Sequence, residues 1–216
     1  MAKNYSALTG SDIVRAVRKK HIKYLIYSIF GIIAGFALLI AVSIYLHRSS
    51  ESVVYMILGV LISACIIGFS CYMLGKSFLT LRDILHIPLF RKYGSADSIA
   101  MQISEHFPTA ILESNKVLIT DSFIMKHGDY ETYIPYEDVL LLYRKEHRTN
   151  GVLDSIFLVV YDAYGGNVEY PFKLGKKHAD DMDAAAKAIA SRAPNCRFGY
   201  TKENLAYVQS NKKPLP

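Results

Sequence analysis

Two runs decide how this chain is read: YLIYSIFGIIAGFALLIAVSIYL, Tyr24–Leu46, and VVYMILGVLISACIIGFSCYMLG, Val53–Gly75. Each is 23 residues long and holds no Asp, Glu, Lys, Arg or His. As a helix each spans about 35 Å, against a hydrocarbon core of about 30 Å. Only His47–Ser52 separates them, which is enough to turn the chain. The pattern predicts a transmembrane helical hairpin. Buried helices of a soluble core rarely run so far without a charge. Tyr24, Tyr27, Tyr45, Tyr55 and Tyr72 stand near the run ends, where a ring with a wet hydroxyl favours the membrane interface.

The net charge of +6 suggests nucleic acid until it is located. Before Tyr24 stand Lys3, Arg15, Arg18, Lys19, Lys20 and Lys23 against Asp12 alone, while from Lys76 onward 18 basic residues meet 17 acidic ones. The excess lies beside the apolar runs. It points to anionic headgroups, met by Arg15, Arg18, Lys19, Lys20, Lys23 and Lys76, and away from nucleic acid. By the positive-inside rule both termini are expected in the cytoplasm and His47–Ser52 outside. The first run is too long for a signal-peptide core, so it is expected to be retained. The expectation is an integral, two-span membrane protein.

Small residues recur within the runs. Ser28, Gly31 and Gly35 are spaced by three and four, as are Ala64, Gly68, Cys71 and Gly75. Such faces let helix backbones approach closely. The two faces are expected to meet within the hairpin, and a homo-oligomer through them is the less economical alternative. Neither run carries the ionisable side chains that ion pathways and proton relays use, apart from tyrosine and cysteine. Cys65 and Cys71 lie about 240° apart around a helix, and Cys196 would be reduced in the cytoplasm, so no disulfide is expected.

The leader, 1–23, reads as a frayed start followed by a helix from Asp12 that Ser11 can cap. Ile13, Val14 and Val17 share one side of it. Two forms fit, a helix lying on the inner membrane surface or one continuous helix with a basic collar. The connector, 76–108, carries Phe78, Leu81 and Leu85 on a helix, then Pro88, then Tyr93-Gly94. Ser95 can cap a second helix with Ile99, Ile103 and Phe107 on one face, closed by Pro108.

From 109 to 200 the period becomes that of strands. A short strand at Ala110–Glu113 precedes Val117–Thr120 and Phe123–Lys126, which flank Asp121-Ser122. Tyr133-Ile134, Val139–His147, Ser155–Asp162 and Val168–Phe172 follow. Ser155–Asp162 is apolar on both faces and is expected to be central. Gly165-Gly166 reads as a hairpin turn. A helix from about His178 to Arg192 sets Met182, Ala185, Ala186 and Ile189 on one side. Its Asp180, Asp181 and Asp183 would then stand in the first turns. The tail, 201–216, reads as loose.

No Gly-rich phosphate loop, Gly-x-Ser-x-Gly elbow or His-Glu-x-x-His occurs. The aspartates fit helix-start electrostatics better than a cation site, and no Cys-x-x-Cys or paired histidine spacing predicts a metal. His127, His147 and His178 are far apart in sequence. No catalytic residue and no cofactor are expected.

The segment Lys116–Lys126, the step Tyr133-Ile-Pro-Tyr-Glu-Asp-Val-Leu140, and a long hairpin with one closing helix resemble bacterial pleckstrin-homology-like domains, including the YcxB-like membrane proteins. Tyr136 stands where those domains commonly have tryptophan. His86–Gly94 and Ala193–Tyr200 are also similar to uncharacterised bacterial membrane proteins with a two-helix hairpin. The resemblance implies an α+β protein of a bacterial plasma membrane: a hairpin, then a bent antiparallel β-barrel or sandwich capped by a C-terminal helix. It brings no catalytic residues. The acidic turn Thr120-Asp121-Ser122 departs from the basic first hairpin of phosphoinositide binders.

The expected function is a membrane-anchored cytoplasmic interaction or scaffold module without catalysis. Its partners would be the bilayer and another protein, met by the sheet edges or the helix end. The alternatives are a membrane-surface or lipid sensor using the basic juxtamembrane residues, and an accessory subunit of a membrane enzyme or transporter.

Overall fold

The computed structural model describes residues 5, 7–48, 53–84, 87–110, 112–113, 117–172 and 176–215. Helices α1 (Gly10–Arg48) and α2 (Val53–Arg82) come first. Helices α3 (Pro88–Tyr93) and α4 (Ala96–His106) lead into strands β1 (Leu112–Glu113), β2 (Val117–Ile119), β3 (Phe123–Lys126) and β4 (Asp129–Pro135). Strands β5 (Val139–Thr149), β6 (Val152–Asp162) and β7 (Asn167–Phe172) precede α5 (Lys176–Ala190). A two-residue strand β8 (Arg197–Phe198) and helix α6 (Lys202–Ser210) end the order. The chain divides into two units, Val17–Ile87 and a second made of Met1–Ala16 with Pro88–Pro216.

Both apolar runs are helical, over stretches long and apolar enough to cross a membrane. In each apolar window only 11% of the residues are buried, unlike the core helix of a soluble protein. Tyr27, Phe30, Ile33, Phe69 and Tyr72 all point outward. Space for a Cβ on Gly31 is taken by Ser70, on Gly35 by Ile67 and on Gly59 by Val42. The contacts descend one helix as they climb the other, so α1 and α2 pack antiparallel.

Four strands form the sheet β1-β2-β3-β4, wholly antiparallel, and four form β7-β6-β5-β8. The resemblance implies a bent antiparallel barrel or a sandwich. Among the described residues the strands do not close into a barrel, because the 3-10 turn Tyr136–Asp138 separates β4 from β5 and no ladder joins the sheets. The sheets instead share a core. Val117, Ile119, Ile124 and Ile134 from one meet Leu142, Ile156, Leu158, Val160 and Tyr170 from the other. The Tyr170 hydroxyl donates to Thr132 O at 2.6 Å, so a buried polar group is satisfied where it ties the layers. Helix α5 covers the core with Met182, Ala185 and Ile189, the face read from the sequence.

Turn chemistry sets the registers. Asn150 and Gly151 both have positive φ, 51° and 81°, in the two-residue connection of β5 and β6 that follows strand twist. Strand β6 is central, with Leu158 and Val160 toward the shared core. Its Tyr161 lies on the other face, packed with Tyr143, Leu205 and Tyr207 around Leu141 and Val208.

Several local expectations need correcting. Thr9, not Ser11, opens α1. Thr9 Oγ1 accepts from Asp12 N at 3.3 Å while Asp12 Oδ2 accepts from Thr9 N at 3.1 Å, a reciprocal cap. The start is not frayed at Tyr5, whose buried ring lies 5.2 Å from Phe107 and whose hydroxyl accepts from Gly128 N at 3.0 Å. Helix α1 is continuous, the second of the two forms considered. Helix α5 begins at Lys176, so Asp180, Asp181 and Asp183 lie beyond its first turn. The tail is not loose over Lys202–Ser210. Thr201 caps α6 by accepting from Asn204 N, and Val208 is buried. Ser95 caps α4 as expected.

Candidate functional site

The most distinctive surface lies along β5. On one side β5 pairs with β6 over its length; on the other it meets β8 only at Leu141 and Leu142. Gly199 N then donates to Leu142 O at 3.0 Å, and Gly199, at φ +88°, carries the chain away. Among the described residues no strand pairs with Tyr143–Thr149 on that edge. Since main-chain groups alternate along a strand, the outward Leu142 carbonyl sets those of Arg144 and Glu146 outward too. Side chains from Arg144 to Thr149 are exposed.

Beside this edge is a groove of about 250 Å³. Leu142, Leu158, Met182 and Ala186 give it an apolar floor, with Arg144 on the strand side and Asp183 on the helix side. Phe198 and Tyr200 stand at its rim, 52% and 60% exposed. Tyr143 packs on Tyr200 at 4.8 Å between ring centroids. Along the edge Glu146 bridges Arg144 at 2.7 Å and Arg148 at 2.8 Å. The Arg148 hydrogen bond, with help from Arg144, holds the Glu146 carboxyl below its ordinary range. Lys145 reaches Glu169 at 2.7 Å. The groove could hold an apolar side chain while the edge hydrogen-bonds an extended backbone.

A second, polar cavity of about 430 Å³ includes His106, Asp121, Ser122, Tyr136, Glu137 and Arg192 in its lining. His106 Nδ1 lies 3.1 Å from Asp121 Oδ1, and Thr109 donates to the same oxygen at 2.7 Å. Desolvation raises the Asp121 pKa, but the Thr109 and His106 contacts outweigh it, so the net shift is downward. Among the described residues Ser122 Oγ is buried without a hydrogen-bond partner.

Two buried carboxylates have structural partners. Lys92 donates to Asp162 at 2.6 Å, and Lys213 donates to Asp138 at 2.5 Å. Asp162 Oδ1 also accepts from Tyr164 N and Gly166 N, closing the β6–β7 turn. Among the described residues the Tyr93 hydroxyl is buried without a hydrogen-bond partner. Burial, then the charges of Asp162 and Asp138, raise its pKa.

The residues expected at sites fall out as follows. Ser28 is buried, and Gly31 and Gly35 do meet α2. Their counterparts do not. Ala64 and Cys71 are exposed, and nothing lies within 4 Å of a Cβ built on Gly68 or Gly75. Gly59 and the buried Ser63, Ser70 and Ser77 supply the small residues of α2 instead, since the serines recur every seven residues and hold one face. Arg15, Arg18, Lys19, Lys23 and Lys76 are exposed and Lys20 half-buried. His127 contacts Tyr5, His147 lies 3.6 Å from Asp154, and the side chain of His178 lies outside the described residues. No group of three metal-ligating side chains occurs among the described residues, and all three cysteines are free.

Sequence reasoning missed the groove because its floor comes from β5, β6 and α5. It also missed Lys213–Asp138, a pair 75 residues apart. The readable signal for the edge was length, since β5 runs for 11 residues and only two follow in β8. Comparison with known proteins finds no matching family model, no similar curated protein and no similar solved structure.

Proposed function

We propose that this chain is a membrane-anchored interaction module without catalytic activity, whose sheet unit meets a protein partner along β5. The observation that carries this reading is the unpaired edge Tyr143–Thr149 beside an apolar groove. Main-chain hydrogen bonds to such an edge supply affinity, and pockets for alternate side chains supply selectivity. The apolar α1 and α2, with the exposed basic residues that flank them, support an anchor in a bilayer with both termini cytoplasmic. The two-sheet sandwich closed by α5 supports a pleckstrin-homology-like assignment of the second unit, and with the hairpin a YcxB-like one.

The test has two arms. Reporter fusions at Ser50 and after Pro216 read the orientation; an outward C terminus would contradict a cytoplasmic module. Glu146→Pro removes an outward N–H without taking a hydrogen bond from β6. Glu146→Ala keeps that N–H and loses only the exposed ion pairs. Partner recovery from native membranes should fall with proline and persist with alanine; equal recovery with both would contradict docking at this edge.

A further inference from the structure

We infer that the occupant of the β5 edge is an acidic extended peptide with one large apolar side chain anchored in the groove. This deepens the proposed docking edge and rests on it. Strand β8 already shows the mode of addition, taking the edge at Leu141 and Leu142 and leaving at Gly199. A peptide strand continues that line, bonding the outward main-chain groups of Arg144 and Glu146. Its side chains alternate between the two sheet faces. Those on the core side enter the groove over Leu158, Met182 and Ala186, so the anchor is apolar. A volume of about 250 Å³ gives room for one large aliphatic or aromatic side chain.

Charge sets the rest of the peptide. Lys145 is held by Glu169, while Arg144 and Arg148 share the single carboxylate of Glu146, so one guanidinium charge is left over at the edge. Opposite charges favour a cross-strand pair and like charges disfavour it, so acidic residues suit the core-side positions beyond the anchor, toward Arg148. Asp183 on the helix side of the groove opposes an acid at the anchor itself. A second copy of the chain fits less well. Antiparallel self-pairing over the whole edge centres on Glu146, setting Arg144 opposite Arg148 and Glu146 opposite itself.

The full chain in nanodiscs is titrated with a labelled short glutamate peptide that holds one leucine, so that glutamate stands on both faces of the strand, and with the same peptide carrying lysine for glutamate. The glutamate peptide should bind, should weaken as salt rises, and should exceed the lysine peptide by about tenfold. The exposed double change Arg144→Glu with Arg148→Glu should reverse that preference. Ala186→Trp fills the groove and should weaken the glutamate peptide by about tenfold. Equal binding of the two peptides would overturn the inference. So would a peptide-independent dimer that Glu146→Pro dissociates, which would make a second copy the occupant. If Glu146→Pro releases the native partner while neither peptide binds, the docking edge stands and the acidic-peptide assignment fails.

Discussion

Lys213 Nζ lies 2.5 Å from the Asp138 carboxylate, which is buried at the start of the second sheet. Lys213 N also donates to Ala163 O at 2.7 Å, so the last residues hold both ends of the β5–β6 hairpin. The tail is a strap, and its removal would strand a buried charge.

Lys213→Met should therefore destabilise the chain. A hydrogen bond to a charged group contributes about 1.5–3 kcal/mol, and the half-exposed lysine reduces that to about 1–2 kcal/mol. The hydrogen bond to Asp138 raises the Lys213 pKa above 10.5. A raised folded-state value gives stability that is complete below the unfolded pKa and lost as pH climbs through the folded one. The wild-type advantage should hold at pH 7–9 and shrink above about pH 10.5. Thermal unfolding in detergent across that range checks it; an advantage that grew above pH 10.5 would refute the pairing.

Gly35→Val should disturb the hairpin, because Ile67 Cγ1 stands 2.5 Å from where the new Cβ would sit. Gly68→Val has open space and should leave packing intact. Disulfide trapping between cysteines placed at Val42 and Gly59 reads both. Loss of trapping in both variants would favour the glycine face of α2 as the contact. A change of oligomeric state with Gly68→Val would revive self-association through that face.

Cys196 is pushed up to about 12 by burial against the core. Alkylation of a Cys65→Ser, Cys71→Ser chain should be slow at pH 8 and quicken about tenfold per pH unit until its thiol titrates. Fast labelling at pH 8 would place the thiol in water.

Leu158→Ala should cost about 2–5 kcal/mol, since Leu158 is 2% exposed between the sheets. Val152→Ala, at 67% exposure near the hairpin tip, should change stability by less than about 0.5 kcal/mol. Similar costs for the two would contradict the register of β6.

Strand β6 was legible because both of its faces are apolar, which only a central strand tolerates. The α5 face and the Ser95 cap were legible from spacing alone. Helix α6 was not, because Leu205 and Val208 repeat the stripe over a single turn. The hairpin seam was not legible on α2, where Ala64, Gly68, Cys71 and Gly75 repeat the small-residue spacing but Ser63, Ser70 and Ser77 hold the buried face. The groove could not be read, since nothing in Leu142, Leu158 or Met182 individually says that they share a wall.

Docking at β5 is tested most directly by a photo-crosslinking residue at His147, with a second at Glu203 on exposed α6 as control, in native membranes. The account predicts a partner adduct from His147 that Glu146→Pro abolishes and Glu146→Ala retains, with none from Glu203. An adduct that forms equally from both positions, or survives Glu146→Pro, would contradict it.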